Sequence, residues 1–338
     1  MATRPTIHDV ARRAGVSATT VSHAFSGKGV VSAATRQHVR QVARALGYRP
    51  DILAQGLRSN RLGVIALILR PLDDYSDSAP SGVDYFLRFT GAAALTALAA
   101  GYGLMLVGDP SQDDGPGAAL ACDGCLVTEP VSNDPLLDLL YRKEIPTVTV
   151  GRDVARAPDD RTVDVQTGPI TRMVLDHLSA AGARRVALVT GLAANSWNLD
   201  TAEAYRAWCA TTSTTPRVVG CREDDGAAAG RHAAAELFEH DQPPDALYCL
   251  TGRHTVGVLK YLQDNGIRVP DDVLLVCGSD AEEVRATTPS ISAVDLRPES
   301  LARVAVTTLI NLLAGRDVEP GDDTFGRLAV RESTTRAI

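Results

Sequence analysis

The sequence predicts an all-α helix-turn-helix module joined to an α/β body of two doubly wound parallel-sheet lobes. Three observations predict it. Charge is split along the chain. The 338 residues carry −7 in total, yet residues 1–62 hold nine Arg and one Lys against Asp9 and Asp51, a net of +8, which leaves −15 on the rest. Within the basic part, apolar residues recur at helical spacing in three short runs separated by Gly and Ser. From Leu62 onward, apolar β-runs alternate with helical runs, the pattern of parallel sheets covered on both faces. A basic module on an acidic body points to a polyanion partner for the module alone. The composition, 45% apolar and 22% charged, excludes a disordered, collagen-like or disulfide-scaffold chain.

The boundaries follow these changes: 1–49 for the helical module, 50–61 for a hinge helix and linker, and 62–338 for the body. Thr6-Ile-His-Asp9 has the form of a capping box with Asp in place of Glu. Ile7, Val10, Ala11 and Ala14 follow on one helical face, and Gly15 stops the helix. Ser17 caps a second helix with Val21 and Phe25 inward. Ser32 caps a third that runs to Leu46, with Val39, Val42, Ala43 and Leu46 inward and Gly47 as its stop. Ala14-Gly-Val-Ser17 is the short Gly-containing turn of a helix-turn-helix. Three short helices would also suit a protein-binding bundle. The outward side of the second helix favours DNA: Ser17, Thr19, Thr20, Ser22 and His23 are short and uncharged where an ordinary surface helix carries Glu and Lys. Short hydroxyls let a helix seat deeply in a major groove and reach phosphates or base edges.

The run Thr6-Ile-His-Asp-Val-Ala-Arg-Arg-Ala-Gly-Val-Ser17, with Thr20-Val-Ser22, Val31-Ser-Ala-Ala-Thr-Arg36 and Leu46-Gly-Tyr-Arg-Pro50, resembles the headpiece of the lactose/galactose repressor (LacI) family. Its recognition segment is nearest the family's purine-repressor type, with Ala18 in place of a threonine. The resemblance spans nearly all of residues 5–62. It implies base reading at Ala18, Thr19 and His23, and further DNA contacts from Thr6, Ser17, Thr20, Ser22, Ser32 and Thr35. His23 can donate to guanine N7 or O6, Thr19 can reach a base edge, and Ala18 offers a methyl contact to thymine. Pro50-Asp-Ile-Leu-Ala-Gln-Gly-Leu57-Arg58 resembles the family's hinge helix. This implies that Leu57 wedges into the minor groove at the operator centre beside its symmetry mate, with Ala54 touching the same groove. A helix of about two turns containing Gly56 does not persist alone in water. It is expected to fold when two hinges pair on DNA and to melt when the body moves them apart.

In the body, strands are expected at Val64–Leu69, Leu104–Val107, Gly124–Thr128, Thr147–Val150, Val186–Thr190, Arg217–Val219, Ala246–Leu250 and Val273–Val276. Helices are expected near Tyr85–Ala100, Pro135–Lys143, Ile170–Ala181, Thr201–Thr211, Ala227–Glu239, His254–Asn265 and Pro298–Leu313. Two lobes of this kind place a small-molecule site in the cleft between them. The family resemblance continues through Asp123-Gly124, Gly151-Arg152, His177-Leu178 with Gly182-Ala-Arg-Arg-Val-Ala-Leu, Pro244-Asp-Ala-Leu-Tyr-Cys, Gly266-Ile-Arg-Val-Pro-Asp-Asp-Val and Arg331-Glu-Ser-Thr334. It implies a body of the periplasmic-binding-protein-like type, with crossing connections between its lobes and a small-molecule effector in the cleft. The effector candidates are Tyr85, Phe86, Arg152, Trp197 and Asp280; Tyr85 and Phe86 fall on the family's pocket aromatics and Asp280 on the Asp of its Gly-Phe-Asp motif. Other family positions are replaced: an Asp-Asn pair by Gln166-Thr167, the effector-gripping arginine by Thr201, and an Asn-Asp pair by Thr251-Gly252. Those losses argue against a sugar, and the aromatics with Arg152 suit a planar or anionic ligand. The chain between Val107 and Asp123 is short and includes Asp113-Asp-Gly-Pro-Gly117, so a helix usual in the family is curtailed there.

No G-x-G-x-x-G, P-loop, H-E-x-x-H or G-x-S-x-G occurs, and the carboxylates form no paired constellation. The expectation is therefore no catalytic residue, no cofactor and no enzymatic activity. Six cysteines are expected as thiols. Cys122-Asp-Gly-Cys125 has C-x-x-C spacing, but no second pair supplies the other ligands of a zinc site. An apolar strand follows it instead of a helix, so it reads as small core residues beside a turn and no metal is expected. Met1-Ala-Thr-Arg-Pro-Thr6 lacks the apolar core of a signal peptide, which points to the cytoplasm. The uncharged run Phe89–Gly108 is long enough for a membrane span, but Gly101-Tyr-Gly103 divides it into a helix and a strand. The sequence thus predicts a repressor that binds double-stranded operator DNA as a homodimer and answers to a small-molecule effector, without membrane contact. The absence of terminal heptads points to a dimer rather than a tetramer. The competing reading is a soluble small-molecule-binding protein of the periplasmic-binding type without operator function, which leaves the basic module unexplained.

Overall fold

The computed structural model describes residues 5–26, 30–48, 61–68, 84–112, 117–157, 159, 161–317 and 326–336. The chain divides into two compact units between Val64 and Ile65. The first unit holds α1 (Ile7–Ala14), α2 (Ala18–Ser26) and α3 (Ala33–Leu46). Thr6 and Asp9 form a reciprocal capping box, Ser17 accepts from the Thr20 amide at 3.0 Å, and Ser32 accepts from the Thr35 amide at 3.1 Å. Gly15 and Gly47 end α1 and α3 in the left-handed region, at φ 65° and 68°, where a Cβ brings strain. Val10, Val21, Ala24 and Val39 are fully buried, and the Phe25 and Tyr48 rings lie 6.1 Å apart. Burying each Val contributes about 2 kcal/mol, so caps at about 1 kcal/mol each are a sizeable share of so small a core. The hinge helix expected over 50–61, with Ala54 and Leu57, lies outside the described residues except for Arg61.

The first lobe of the body comprises β1 (Val64–Ile68), α4 (Asp84–Ala99), β2 (Gly103–Val107), a 3-10 turn (Gly117–Leu120), β3 (Gly124–Thr128), α5 (Pro135–Arg142), β4 (Thr147–Val150) and β5 (Thr162–Val163). The sheet order is β2-β1-β3-β4-β5. The β1–β3, β3–β4 and β4–β5 pairs are parallel. Strand alternation sorts the two faces. Ile65, Leu67 and Leu126 face Phe89 and Ala93 of α4, whereas Ala66, Ile68, Cys125 and Val127 face Leu136, Leu137 and Leu140 of α5. The uncharged run resolves into the end of α4, a turn at Gly101 and β2. Among the described residues no helix is long and apolar enough to cross a membrane.

The second lobe contains α6 (Thr167–Ala180), β6 (Val186–Gly191), α7 (Ser196–Thr212), β7 (Val218–Cys221), α8 (Gly226–Phe238), β8 (Ala246–Cys249), α9 (Gly252–Asp264), β9 (Leu274–Cys277), α10 (Glu282–Arg285) and β10 (Ser292–Asp295). Then come α11 (Pro298–Leu313), β11 (Arg327–Ala329) and a 3-10 turn (Glu332–Thr334). The sheet order is β11-β10-β9-β8-β6-β7, parallel except for β11 against β10. α6 and α7 cover one face, α8 and α9 the other. α8 and α9 touch through glycines: a Cβ on Gly257 would lie 1.9 Å from the Ala227 carbonyl oxygen, and one on Gly230 2.0 Å from that of His254.

α11 belongs to the first lobe, where Leu301, Ala305, Val306 and Leu309 pack with α4 and the sheet. The chain therefore crosses between lobes after β5, after β10 and again between α11 and β11. The first two crossings share one geometry. Asp164 accepts from the Gln166 amide and Asp295 from the Arg297 amide, each at 2.9 Å, and Gln166 and Arg297 sit at φ 54° and 51°. The short elements β5, β10, β11 and α10 were not expected. α7 begins at Ser196 instead of Thr201, because Asn195 caps it by accepting from the Asn198 amide at 2.9 Å.

Candidate nucleic-acid interface and ligand cleft

In the helical module, Thr19 is exposed on α2, Thr20, Ser22 and His23 are half-buried, and Ala18 packs partly against the module core. Ser17 sits at the start of the same helix, its Oγ 2.9 Å from Thr20 Oγ1. Ser32 and Thr35 repeat this arrangement at the start of α3, at 2.8 Å, and Thr6 donates to Asp9 at 2.7 Å before α1. The candidates thus fall on one helix and on three helix starts. Helix starts offer amides and the positive end of the dipole, both suited to a phosphate oxygen. The amide and hydroxyl of Thr6 hold the Asp9 carboxyl below its usual range, which keeps the α1 cap ionised.

In the body a cavity of about 300 Å³ opens between the lobes. Tyr85, Phe86, Thr128, Glu129, Val150 and Gly151 line it from the first lobe; Asn195, Ser196, Trp197, Asn198, Glu223, Thr251, Arg253 and Ser279 line it from the second. Most of these follow the carboxyl ends of β3, β4, β6, β7, β8 and β9, where doubly wound sheets take ligands. The Tyr85 ring meets Phe86 edge-on at 5.1 Å and stacks on Phe89 at 6.4 Å. Burial pushes the Tyr85 phenol well above its ordinary pKa and the Glu129 charge adds to that, so the ring stays neutral. Thr128 Oγ1 in the cavity wall is buried without a hydrogen-bond partner.

On the opposite wall Glu223 Oε1 accepts from the Ala193 amide and from Asn198 Nδ2, both at 3.0 Å. Asn198 Oδ1 accepts in turn from the Gly191 amide and the Thr190 hydroxyl, both at 3.2 Å. A Cβ at Gly191 would lie 1.9 Å from Glu223 Oε1, so only glycine leaves room for that carboxylate. Glu129 adopts φ 49° at the cavity edge, a left-handed conformation that costs about 1 kcal/mol.

Two of the expected effector residues lie elsewhere. Arg152 does not line the cavity: its Nη2 donates to Asp200 of α7 at 2.6 Å and its amide donates to Ser196 Oγ at 3.2 Å, joining the lobes. Burial pushes the Asp200 pKa up against the pull of Arg152. Asp280 is engaged by Arg331 at 2.9 Å and Arg285 at 3.4 Å, and Arg285 also reaches Asp84 of the first lobe at 3.0 Å. The lobes meet further in an antiparallel bridge between Val131 and Asn195. Thr201 is fully buried in α7, off the cavity. Sequence reasoning missed Glu129, Asn195, Asn198, Glu223 and Arg253. The usable signal was position after a strand end, and for Glu223 it was blurred because β7 extends to Cys221 instead of Val219. Among the described residues no cluster of His, Cys, Asp or Glu could hold a metal ion.

Comparison with known proteins accounts for both units. Residues 6–51 match the bacterial regulatory proteins of the lacI family, and residues 175–334 match the periplasmic binding protein-like domain. The transcriptional regulator CelR of Thermobifida fusca is 26% identical over 94% of each chain. AscG of Escherichia coli K12 is 25% identical over 97% of this chain and 98% of its own. The repressor PurR of Escherichia coli O139:H28 is 26% identical over 97% of this chain and 96% of its own. Among solved structures, the lac repressor dimer bound to operator and the anti-inducer ONPF shares the fold, with a TM-score of 0.80 over 99% of this chain and 100% of that one, at 19% identity. The CelR–cellobiose complex gives a TM-score of 0.70 over 98% of this chain and 100% of its own, at 24% identity. These relatives are transcriptional regulators rather than enzymes, and this chain, like them, joins a lacI-family helix-turn-helix headpiece to a periplasmic-binding-protein-like domain.

Proposed function

We propose that the protein is a cytoplasmic repressor that binds a near-palindromic operator as a homodimer, with a small molecule in the interlobe cleft modulating that binding. The observation that carries the DNA reading is α2, which follows a capped turn and turns Thr19, Ser22 and His23 outward on a strongly basic headpiece. Two such helices, one per protomer, would enter successive major grooves. Leu57 would part the base step between them, with Ala54 beside it. Thr6, Ser17, Thr20, Ser32 and Thr35 would hold phosphates at the helix starts. For the dimer, α4 leaves Leu87, Leu95 and Leu98 at 62%, 72% and 64% exposure, close to one helical face. Leu95→Glu is therefore expected to convert the dimer to monomer in sedimentation equilibrium while the lobes stay folded; an unchanged mass would place the dimer surface elsewhere.

The cleft suits a planar ligand stacked between Tyr85, Phe86 and Trp197, its polar edge met by Asn195, Glu223 and Arg253. Ligand that changes the lobe separation would alter the hinge segments and hence operator affinity, a coupling between two sites. Selecting bound DNA from a random pool with the full-length protein, with and without metabolite mixtures, tests the reading. One enriched inverted repeat is expected, and an unenriched pool would favour a ligand-binding protein without operator function. With that operator in hand, His23→Ala should flatten the preference at one half-site position by about 1–3 kcal/mol. An unchanged base-substitution profile would remove His23 from the reading face.

A further inference from the structure

Cys122 and Cys125 take no part in the DNA face or the cleft. They flank Asp123-Gly124 where the chain bends into β3, and their sulfur atoms lie 3.5 Å apart. Gly124, the first residue of β3, is closely approached: a Cβ there would lie 2.9 Å from both the Pro146 carbonyl oxygen and Leu309 Cδ1. Cys125 is buried in the cluster under α5, and Cys122 is half-buried at the rim of the same cluster. Cys209, Cys221, Cys249 and Cys277 are buried thiols elsewhere. Among the described residues, only this pair combines neighbouring sulfur atoms with a cysteine that is not fully buried.

We propose that Cys122 and Cys125 form a redox-responsive dithiol that hydrogen peroxide converts to an intramolecular disulfide. The Cys122 thiolate attacks the peroxide, the O–O bond breaks, and Cys122 becomes a sulfenic acid while the departing hydroxide takes a proton to leave as water. The Cys125 sulfur then displaces the sulfenic hydroxyl, which leaves as a second water with the Cys125 proton. Two electrons pass from the two sulfurs to the peroxide, and the S–S bond forms. The assignment of roles rests on reach and on hydrogen bonding. Donation from the Cys125 thiol holds the Cys122 thiol below its ordinary pKa, against burial and with help from the Gly124 and Ala66 amides. The same hydrogen bond and burial push Cys125 up, so it waits as the resolving thiol. Closing from 3.5 Å to a bonded distance of about 2 Å is within reach of side-chain rotation. The bond would pin the segment after the 3-10 turn to β3, the strand whose end supplies Thr128 and Glu129 to the cleft.

The test uses the full-length protein, reduced, exposed to hydrogen peroxide, quenched with N-ethylmaleimide and digested for mass spectrometry. The peptide holding both residues should lose two hydrogen atoms and take up no maleimide, and dithiothreitol should restore both thiols. Cys122→Ser should abolish this change. Cys125→Ala, which keeps a small apolar group in the cluster, should stop the reaction at a Cys122 sulfenic acid that dimedone labels. Two thiols that stay alkylatable under peroxide would overturn the proposal, as would Cys122 advancing to the sulfinic acid in the unsubstituted protein without pairing.

Discussion

Gly257→Ala is expected to destabilise the second lobe, although the same change in an isolated helix would stabilise it by about 1 kcal/mol. The added methyl would lie 1.9 Å from the Ala227 carbonyl oxygen and 2.9 Å from the Arg231 amide nitrogen. Both are backbone atoms of α8, which no rotamer change can move aside. The helices must part, and parting them loosens Ala233, Ala234, Val258 and Leu259 in the shared core. Overpacking of this kind costs about 3 kcal/mol, so the clash outweighs the propensity gain by about 2 kcal/mol. Urea unfolding of the variant should show a lower midpoint with a similar slope. A midpoint equal to or above that of the unsubstituted protein would mean that α8 and α9 are not held by this close approach. Gly230→Ala should behave alike, and the double variant should lose less than the two losses combined, because one separation relieves both clashes.

Operator affinity is expected to fall about 10³-fold between 50 and 200 mM salt. The cause is local. Residues 1–62 carry +8, so a dimer would bring two such headpieces to the phosphates, while the −15 of the rest offers no attraction. Each neutralised phosphate releases counterions, which makes the logarithm of affinity fall linearly with the logarithm of salt. Gel-shift or fluorescence titration over a salt series measures the slope. A flat plot would show that the basic residues of the headpiece do not meet the backbone. The acidic body should also disfavour DNA contact outside the headpiece, so removing its surface carboxylates would raise non-specific binding before specific binding.

Local signals carried the headpiece. Thr6, Ser17 and Ser32 start its helices and Gly15 and Gly47 end two of them, because caps act within a few residues of themselves. Long apolar strands such as β3 and β6 were legible for a similar reason. The membership of α11 was not: its periodicity shows a helix, but nothing in residues 298–313 reveals that its apolar face covers the sheet of the first lobe. In the cleft, Tyr85 and Phe86, which the family resemblance pointed to, and Trp197, which its chemistry pointed to, all line the cavity. Arg152 and Asp280 do not, because a charged side chain takes whichever partner the tertiary fold brings near, here Asp200 and Arg331. Glu129, Glu223 and Arg253 look like solvated loop residues until the strand ends converge.

The triple crossing sets the order in which a ribosome can deliver a finished protein. The sheet of the first lobe is fully synthesised at Val163, yet α11, which covers one of its faces, is complete only at Leu313. The second lobe waits longer still for β11 at Arg327–Ala329. Until α11 is made, the nascent chain therefore holds Ile65, Leu67 and Leu126 without their full cover, the kind of apolar surface that chaperones engage. Neither lobe is complete before residues 298–329 are added, so a chain that stalls before Pro298 yields no finished lobe.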